Sequence, residues 1–499
     1  MLSLLFVTVN NAICTETGVI KTNTTSLSIM TRLLFASLLA TTCSRFSTSR
    51  AFSSSSSSSL LRQQQLLHQG LTKRSFLTQA VVSISDAFDG GNIEYLDQTT
   101  ATATDEGATT TVRLNIKKDP YTELEETYHF QYFSFRSLCN SNDGTQPVVR
   151  YVIENAGDAS YAKAWEESTV FFSRSLNDPF AWKRIVDTEY KDGALSWTQT
   201  GSGYFAYFPP YSYNRHLEMI ERCGDKAFSL GKTLDGRDID CVKVGSGDKI
   251  CWIIHRQHPG ETMAEFFAEG LLERLLLEGE VDGLTARVLQ QYTFYIVPNM
   301  CLDGSVRGHL RTNAHGQNLN REWAPSEGYD APTLERSPEV YHVLRKMDET
   351  GVDAFFDIHG DEVLPFNFLA GSEGMTNWGP RLKGLHGAFL AAYERSNSDM
   401  QKIHGYAPEP PKEGRINVCS NQVGLRFDCL AATLEMPFKD CLTNPNPSIG
   451  WSPARAKKLG ASILDPLSYI YPYLRDTSEF WNTLPEADNY VLPTPDYKS

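Results

Sequence analysis

No acidic residue lies between Glu16 and Asp86. That span is instead rich in Ser, with an unbroken run at Ser53–Ser59, and is punctuated by Lys and Arg. Such a composition belongs to an organelle transit peptide rather than to a folded domain. The first 74 residues hold seven Lys/Arg and one acid, so a chain of net charge −14 carries −20 on the remainder. A body that acidic repels phosphate at long range, which excludes a nucleic-acid partner. No apolar run reaches the roughly 18 residues that a bilayer requires, which excludes a membrane span. No CxxC pair occurs among the ten cysteines. Scattered single cysteines in a chain this long exclude a disulfide framework and a cysteine-ligated zinc, and imply buried, reduced thiols.

What is present divides into four stretches. Residues 1–85 read as a targeting or disordered leader. From Met30, MTRLLFASLLATTCSRFSTSRAF can form a short amphipathic helix with basic punctuation. The expected destination is the mitochondrion. The alternatives are a plastid, with LLFASLLA as a short signal core, or the cytoplasm if the leader is unused. Residues 110–215 contain short runs of Val, Thr, Tyr and Phe (TTVRLNI, YHFQYFSFRS, PVVRYVIENA, STVFFSRS, GYFAYFPPY) separated by Gly, Asn, Asp and Pro. They predict a small antiparallel β-sandwich with no obvious catalytic set. Over 220–480, apolar strands at 249–256, 292–299, 352–360 and 430–438 alternate with helices at 262–279 and 337–351, the latter stopped by Gly351. This is the pattern of an α/β domain with a mixed, largely parallel sheet flanked by helices. Residues 481–499 form a tail.

In such sheets, sites gather beyond the carboxyl ends of the strands. Three strands here end in residues able to do chemistry. The first runs into His258-Pro259-Gly260-Glu261, where a turn lets an imidazole and a carboxylate face one ion. Spacing alone is unspecific, since HxxE recurs at His359–Glu362; each residue also has a bland explanation, Glu261 as a helix-start acid and His258 as a helix-entry histidine. The second strand ends at His359, which could equally be a satisfied core histidine. Glu362 is expected to be exposed. The third carries Glu435 inside the apolar run ATLEMPF, where a carboxylate must be paired, ligate metal or work. It suits a general base, or a buried salt bridge to Arg426 or Lys439. The segment GHLRTNAHGQNLNREW adds Arg311, Asn320 and Arg321, which are suited to an oxyanion and to a carboxylate, or are simply a solvated basic loop.

Taken together, HPGE, RTNAHGQNLNR, DIHG and TLEMPF, in this order, resemble the zinc metallocarboxypeptidases of the carboxypeptidase A type. Within that family, RQHPGETMAE, ERSPEV, FDIHGDE and the YFAYFPPYSYNRH ending of the β-rich stretch resemble bacterial-type members of the cytosolic carboxypeptidase branch. The resemblance implies one Zn2+ held by His258, Glu261 and His359, the ligand set known for carboxypeptidase A. It implies Glu435 as catalytic base and Arg311 as oxyanion donor. Asn320 and Arg321 become the binders of a peptide or protein C-terminus, and oligomeric state is left open. Relatives in this branch often remove acidic C-terminal residues such as glutamate; Arg426 is the expected partner for such a side chain, with Arg415 the weaker candidate. Two departures stand out. Cys301-Leu302-Asp303-Gly304 replaces the family's Asn-Pro-Asp-Gly loop, and Asn318 stands where relatives often carry an aspartate that supports a ligand histidine. The rival readings are a zinc-dependent deacylase of acylated amino acids on the same fold, and an inactive binding module.

Overall fold

Alternating Val, Tyr, Phe and Trp before residue 210 build two five-stranded sheets. In the computed structural model, residues 81–484 are described apart from 101–108, 123–127, 141–145, 277–281 and 327–329. Of the expected leader (1–85), residues 1–80 lie outside the described residues, while its last five, 81–85, form a strand instead; of the expected tail (481–499), residues 485–499 lie outside. One sheet orders β1 (Val81–Ser85), β4 (Ser134–Asn140), β10 (Gly203–Ala206), β6 (Val170–Ser173) and β7 (Lys183–Ile185), all antiparallel. The other orders β2 (Glu94–Thr100), β3 (Thr110–Asn115), β5 (Val148–Ile153), β9 (Ala194–Thr200) and β8 (Glu189–Lys191). Phe133, Phe135, Tyr151, Trp197 and Phe205 are buried together, with Trp197 stacked on Tyr151 at 5.5 Å between ring centroids.

Two features differ from the reading of the sequence. The sheets begin at Val81, not near residue 110, because β2 (EYLDQTT) is largely exposed and carries no apolar alternation to reveal it. The second sheet is mixed, since β3 and β5 pair in parallel.

The second half forms a seven-stranded sheet in the order β11 (Ala227–Lys232), β12 (Asp238–Gly245), β14 (Tyr292–Val297), β13 (Lys249–His255), β15 (Ala354–Ile358), β17 (Leu430–Glu435) and β16 (Phe368–Ala370). The central four strands are parallel and the outer pairings antiparallel. Every residue of β14, β15 and β17 is buried, as expected for strands covered on both faces. On one face Ile253, Phe356 and Leu434 pack with helices Met263–Leu276, Pro380–Ser396 and Pro453–Ser462. On the other, Trp252, Phe355 and Ala431 pack with helices Pro338–Thr350 and Cys419–Phe427. Gly351 ends the first of these two helices at φ 73°, a conformation that costs other residues energy. All eight described cysteines are free, and seven are buried.

Helix Tyr213–Cys223 is fastened to this core by His216. Its Nδ1 lies 2.7 Å from Glu265 Oε1 and its Nε2 3.1 Å from Asp240 Oδ2. Burial alone would push the imidazole down, but the two carboxylates outweigh it and hold it at about 9. The folded value exceeds the unfolded one of about 6.5. The stabilisation is therefore complete below pH 6.5 and lost as pH rises through 9. We expect thermal stability to fall between those limits, by an amount of order 3 kcal/mol for this group. His216→Gln should flatten that part of the stability–pH curve; an unchanged slope in the variant would refute the assignment.

Candidate active site

The chain leaves β13 through Arg256, whose φ of 54° is unusual for a side-chain-bearing residue. Its guanidinium is buried and fixed to Pro259 O (2.8 Å), Tyr211 O (3.1 Å) and Glu265 Oε2 (2.7 Å). These bonds hold the HPGE turn against the end of the strand, so His258 and Glu261 emerge at its carboxyl edge. His359 follows β15 at the same edge, its N–H donating to Leu434 O of β17 (2.8 Å). Glu435 ends β17 and completes the row.

His258, Glu261 and His359 converge with ligand atoms all within 4.8 Å of one another. His258 Nδ1 lies 2.6 Å from Glu261 Oε1, His359 Nδ1 2.9 Å from Glu261 Oε2, and the two Nδ1 atoms are 3.2 Å apart. The far side of each ring settles its tautomer. His258 Nε2 faces Asn318 Oδ1 at 3.2 Å, and His359 Nε2 faces Asp357 Oδ2 at 2.8 Å. An amide or carboxylate oxygen there only accepts, so both Nε2 atoms carry the proton and both Nδ1 atoms turn lone pairs inward. Two bare nitrogens and a carboxylate at these distances repel one another unless a cation lies between them. The donor set of two imidazoles and one carboxylate suits zinc, whose tetrahedral ligands at about 2.0–2.2 Å stand about 3.3 Å apart. Electrostatics agree. Burial, then the Arg311 cation, push His258 down to about 3, which keeps its ring neutral. At His359 burial disfavours positive charge, but Asp357 and Glu261 outweigh it, so this corner of the site favours a cation.

A cavity of about 550 Å³ opens beside these residues. Arg311, Asn320, Arg321 and Glu435 line it, as do Tyr161, Glu362 and Tyr406. Glu435 forms neither of the salt bridges its sequence context allowed. Its Oε1 accepts from Tyr406 Oη at 3.2 Å, and its buried Oε2 has no hydrogen-bond partner. Burial pushes its carboxyl well above the usual carboxylate range; His359 pulls it back, while Glu261, Asp361 and Glu362 push it further up.

Two expectations are corrected by this geometry. Arg426 is outside the cavity, held by Asp348 through bonds of 2.7 and 2.8 Å. Helix Cys419–Phe427 starts at the cavity, where Ser420 and Asn421 are part of the wall. Arg426, six residues beyond Ser420, is about 9 Å further along the helix axis. Arg415 is in the wall instead, paired with Glu409 at 2.9 Å. Glu362 is buried rather than exposed. Three contributors escaped the sequence reading. Asp357 had a readable signal, because residues two apart on a strand share a face and 357 therefore lies beside 359. Tyr406 and Tyr161 had none, being isolated in sequence; Tyr161 comes from the β-rich half, which had been assigned no catalytic role.

A buried His2Glu cluster at the carboxyl edge of a mixed sheet, with an unpaired carboxylate in the adjoining cavity, defines the class of zinc hydrolases. Comparison with known proteins narrows it. Residues 84–208 match the cytosolic carboxypeptidase N-terminal domain and residues 217–376 match zinc carboxypeptidase. A protein of Zymomonas mobilis is 40% identical over 79% of this chain and 97% of its own length. The solved metallo-carboxypeptidase from Pseudomonas aeruginosa is 38% identical, covering 79% of this chain and 100% of that one, with a TM-score of 0.70. Mouse cytosolic carboxypeptidase 6 is 28% identical over 34% of this chain and 33% of its own length. The chain belongs to the zinc carboxypeptidase family and is a metallocarboxypeptidase. The mitochondrial expectation is overturned: the relatives that match most of the chain are bacterial, from cells without that organelle.

Proposed function

We propose that this chain removes C-terminal residues from peptides or proteins by hydrolysis at the cavity beside His258, Glu261 and His359. The observation that carries the reading is the convergence of three buried ligand atoms beside an unpartnered Glu435 Oε2. Zinc held there supplies Lewis acidity and a water that ionises near neutral pH. Glu435 Oε2 takes the proton of the attacking water and passes it to the leaving amine, the role for which a raised carboxyl value suits it. Arg311 donates to the oxyanion of the tetrahedral intermediate. Asn320 Oδ1 is occupied by the Cys419 N–H at 2.8 Å, which leaves its NH2 to donate to the terminal carboxylate alongside the Arg321 fork. Family membership favours this reading over the deacylase and the inactive module.

An acidic C-terminal side chain is the preference we assign, with Arg415 replacing Arg426 as its partner. A basic side chain is the second reading, favoured by Glu373 and Glu409 in the same wall. Peptides that differ only in a terminal Glu, Lys or Leu separate the two. We expect wild type to favour Glu, and Arg415→Ala to lose about tenfold on that substrate against little change on Leu, about 1.4 kcal/mol of discrimination. Preference for Lys, or equal loss on all three peptides, would overturn the acidic assignment. Release of acyl groups without trimming of any peptide would overturn the peptidase reading itself.

A further inference from the structure

The β-rich half touches the catalytic loop at both ends of one arginine. Asp119, which is buried, lies just after β3. Its carboxylate accepts from three successive backbone N–H groups, those of Leu310 (2.7 Å), Arg311 (2.8 Å) and Thr312 (3.0 Å), and from the Thr312 hydroxyl (3.0 Å). Bonds to a charged acceptor are stronger than neutral ones, so this single side chain fixes the backbone of the loop. The carbonyl of Leu310 in turn accepts from Gly260 N at 2.9 Å, between His258 and Glu261. There is little slack: a Cβ at Gly260 would stand 3.0 Å from Leu310 O and 3.2 Å from Tyr132 Cβ. At the other end, Arg311 Nη1 donates to Tyr161 Oη at 3.0 Å.

Tyr161 and Asp119 are themselves tied to one segment of the β-rich half. Gln131 clasps the Tyr161 backbone, accepting its N–H at 3.1 Å and donating to its C=O at 3.3 Å. Asp119 N donates to His129 O at 2.8 Å. Backbone and guanidinium of Arg311 are thus referenced to the same stretch, 129–131, which belongs to neither the metal site nor the catalytic sheet.

We propose that Asp119 and Tyr161 are positioning residues for Arg311, making the N-terminal β-rich domain a working part of the active site. The proposal rests on the reading of Arg311 as oxyanion donor. Removal of one such donor costs about 10²–10³ in rate, and a misplacement of about 1 Å can cost 10². A hydroxyl that fixes the guanidinium should therefore influence kcat more than KM.

Tyr161→Phe keeps the ring and removes only the hydroxyl. We expect kcat to fall about tenfold with KM, zinc content and Tm near wild type. The decisive measurement is the double variant with Arg311→Ala. If Tyr161 acts through Arg311, Tyr161→Phe adds no further loss in that background. An equal tenfold loss there, or wild-type kcat in Tyr161→Phe alone, would overturn the proposal while leaving the oxyanion role intact. Wild-type kcat in Arg311→Ala would overturn the oxyanion reading and this proposal with it. Asp119→Asn, which sets an NH2 against backbone N–H groups, should lower kcat as well. Because that change can also impair folding, Tyr161→Phe remains the primary variant.

Discussion

Glu435→Gln is expected to lower kcat by about 10³-fold while leaving the metal content of the protein unchanged. The substitution preserves the shape of the side chain and its bond from Tyr406, but an amide cannot take a proton from water at the position of Oε2. That atom is buried and has no hydrogen-bond partner, so the new NH2 group displaces no existing bond. The ligand residues have their own supports in Asn318 and Asp357, independent of Glu435. The effect should therefore appear in kcat rather than in zinc affinity or Tm. Steady-state kinetics on a peptide substrate, with metal analysis of the same sample, measures both. A variant that trims peptide as fast as wild type would remove Glu435 from the chemistry. A variant that has lost its zinc would make it a structural support instead.

The sequence made some of this site legible and hid the rest for physical reasons. His258, Glu261, His359 and Glu435 were readable because each sits at the end of a strand whose burial on both faces leaves a continuous apolar run. Parallel strands bring such ends to one edge. Arg426 was misplaced because closeness in sequence to Glu435 ignores the strand between them: Arg426 lies near the end of helix Cys419–Phe427, before β17 begins, and Glu435 lies at the far end of β17. That helix begins at the carboxyl edge of the sheet and returns to the amino edge, where Arg426 meets Asp348 at the end of the neighbouring helix. Glu362 looked exposed because nothing local signals that the wall of a cavity will cover it. Asp119 and Tyr161 lie about 190 and 150 residues from Arg311 in the chain, and only the docking of two domains brings them together. No periodicity carries that information. The early strands were missed for the opposite reason: β2 is largely exposed, so burial left no pattern in it.

Stripping the metal with a chelator is expected to abolish peptidase activity and lower Tm, with Zn2+ restoring both. A ligand bound only by the folded state stabilises it by about 4 kcal/mol when present at a thousandfold over its Kd. Three buried donor atoms that repel one another without a cation should make the loss at least this evident. How tightly zinc is held depends on what stands behind each ring. Asp357 is a carboxylate and makes the His359 ring a better donor, whereas Asn318 offers His258 only a neutral amide oxygen. Partners of this kind typically alter metal affinity by about 10–100-fold. Asn318→Asp should accordingly tighten zinc by about tenfold, and Asn318→Ala should weaken it by a similar factor, both read by competition with a chelator of known affinity. Full activity after verified removal of zinc would defeat the metal assignment. Equal affinity in all three proteins would show that the bond from His258 Nε2 does not tune the ligand. The predicted order, Asp over Asn over Ala, makes the asymmetry between the two histidines a property of this chain: one ring is backed by charge and the other by a dipole, and exchanging that single oxygen acceptor should move the metal site toward the stronger of its two halves.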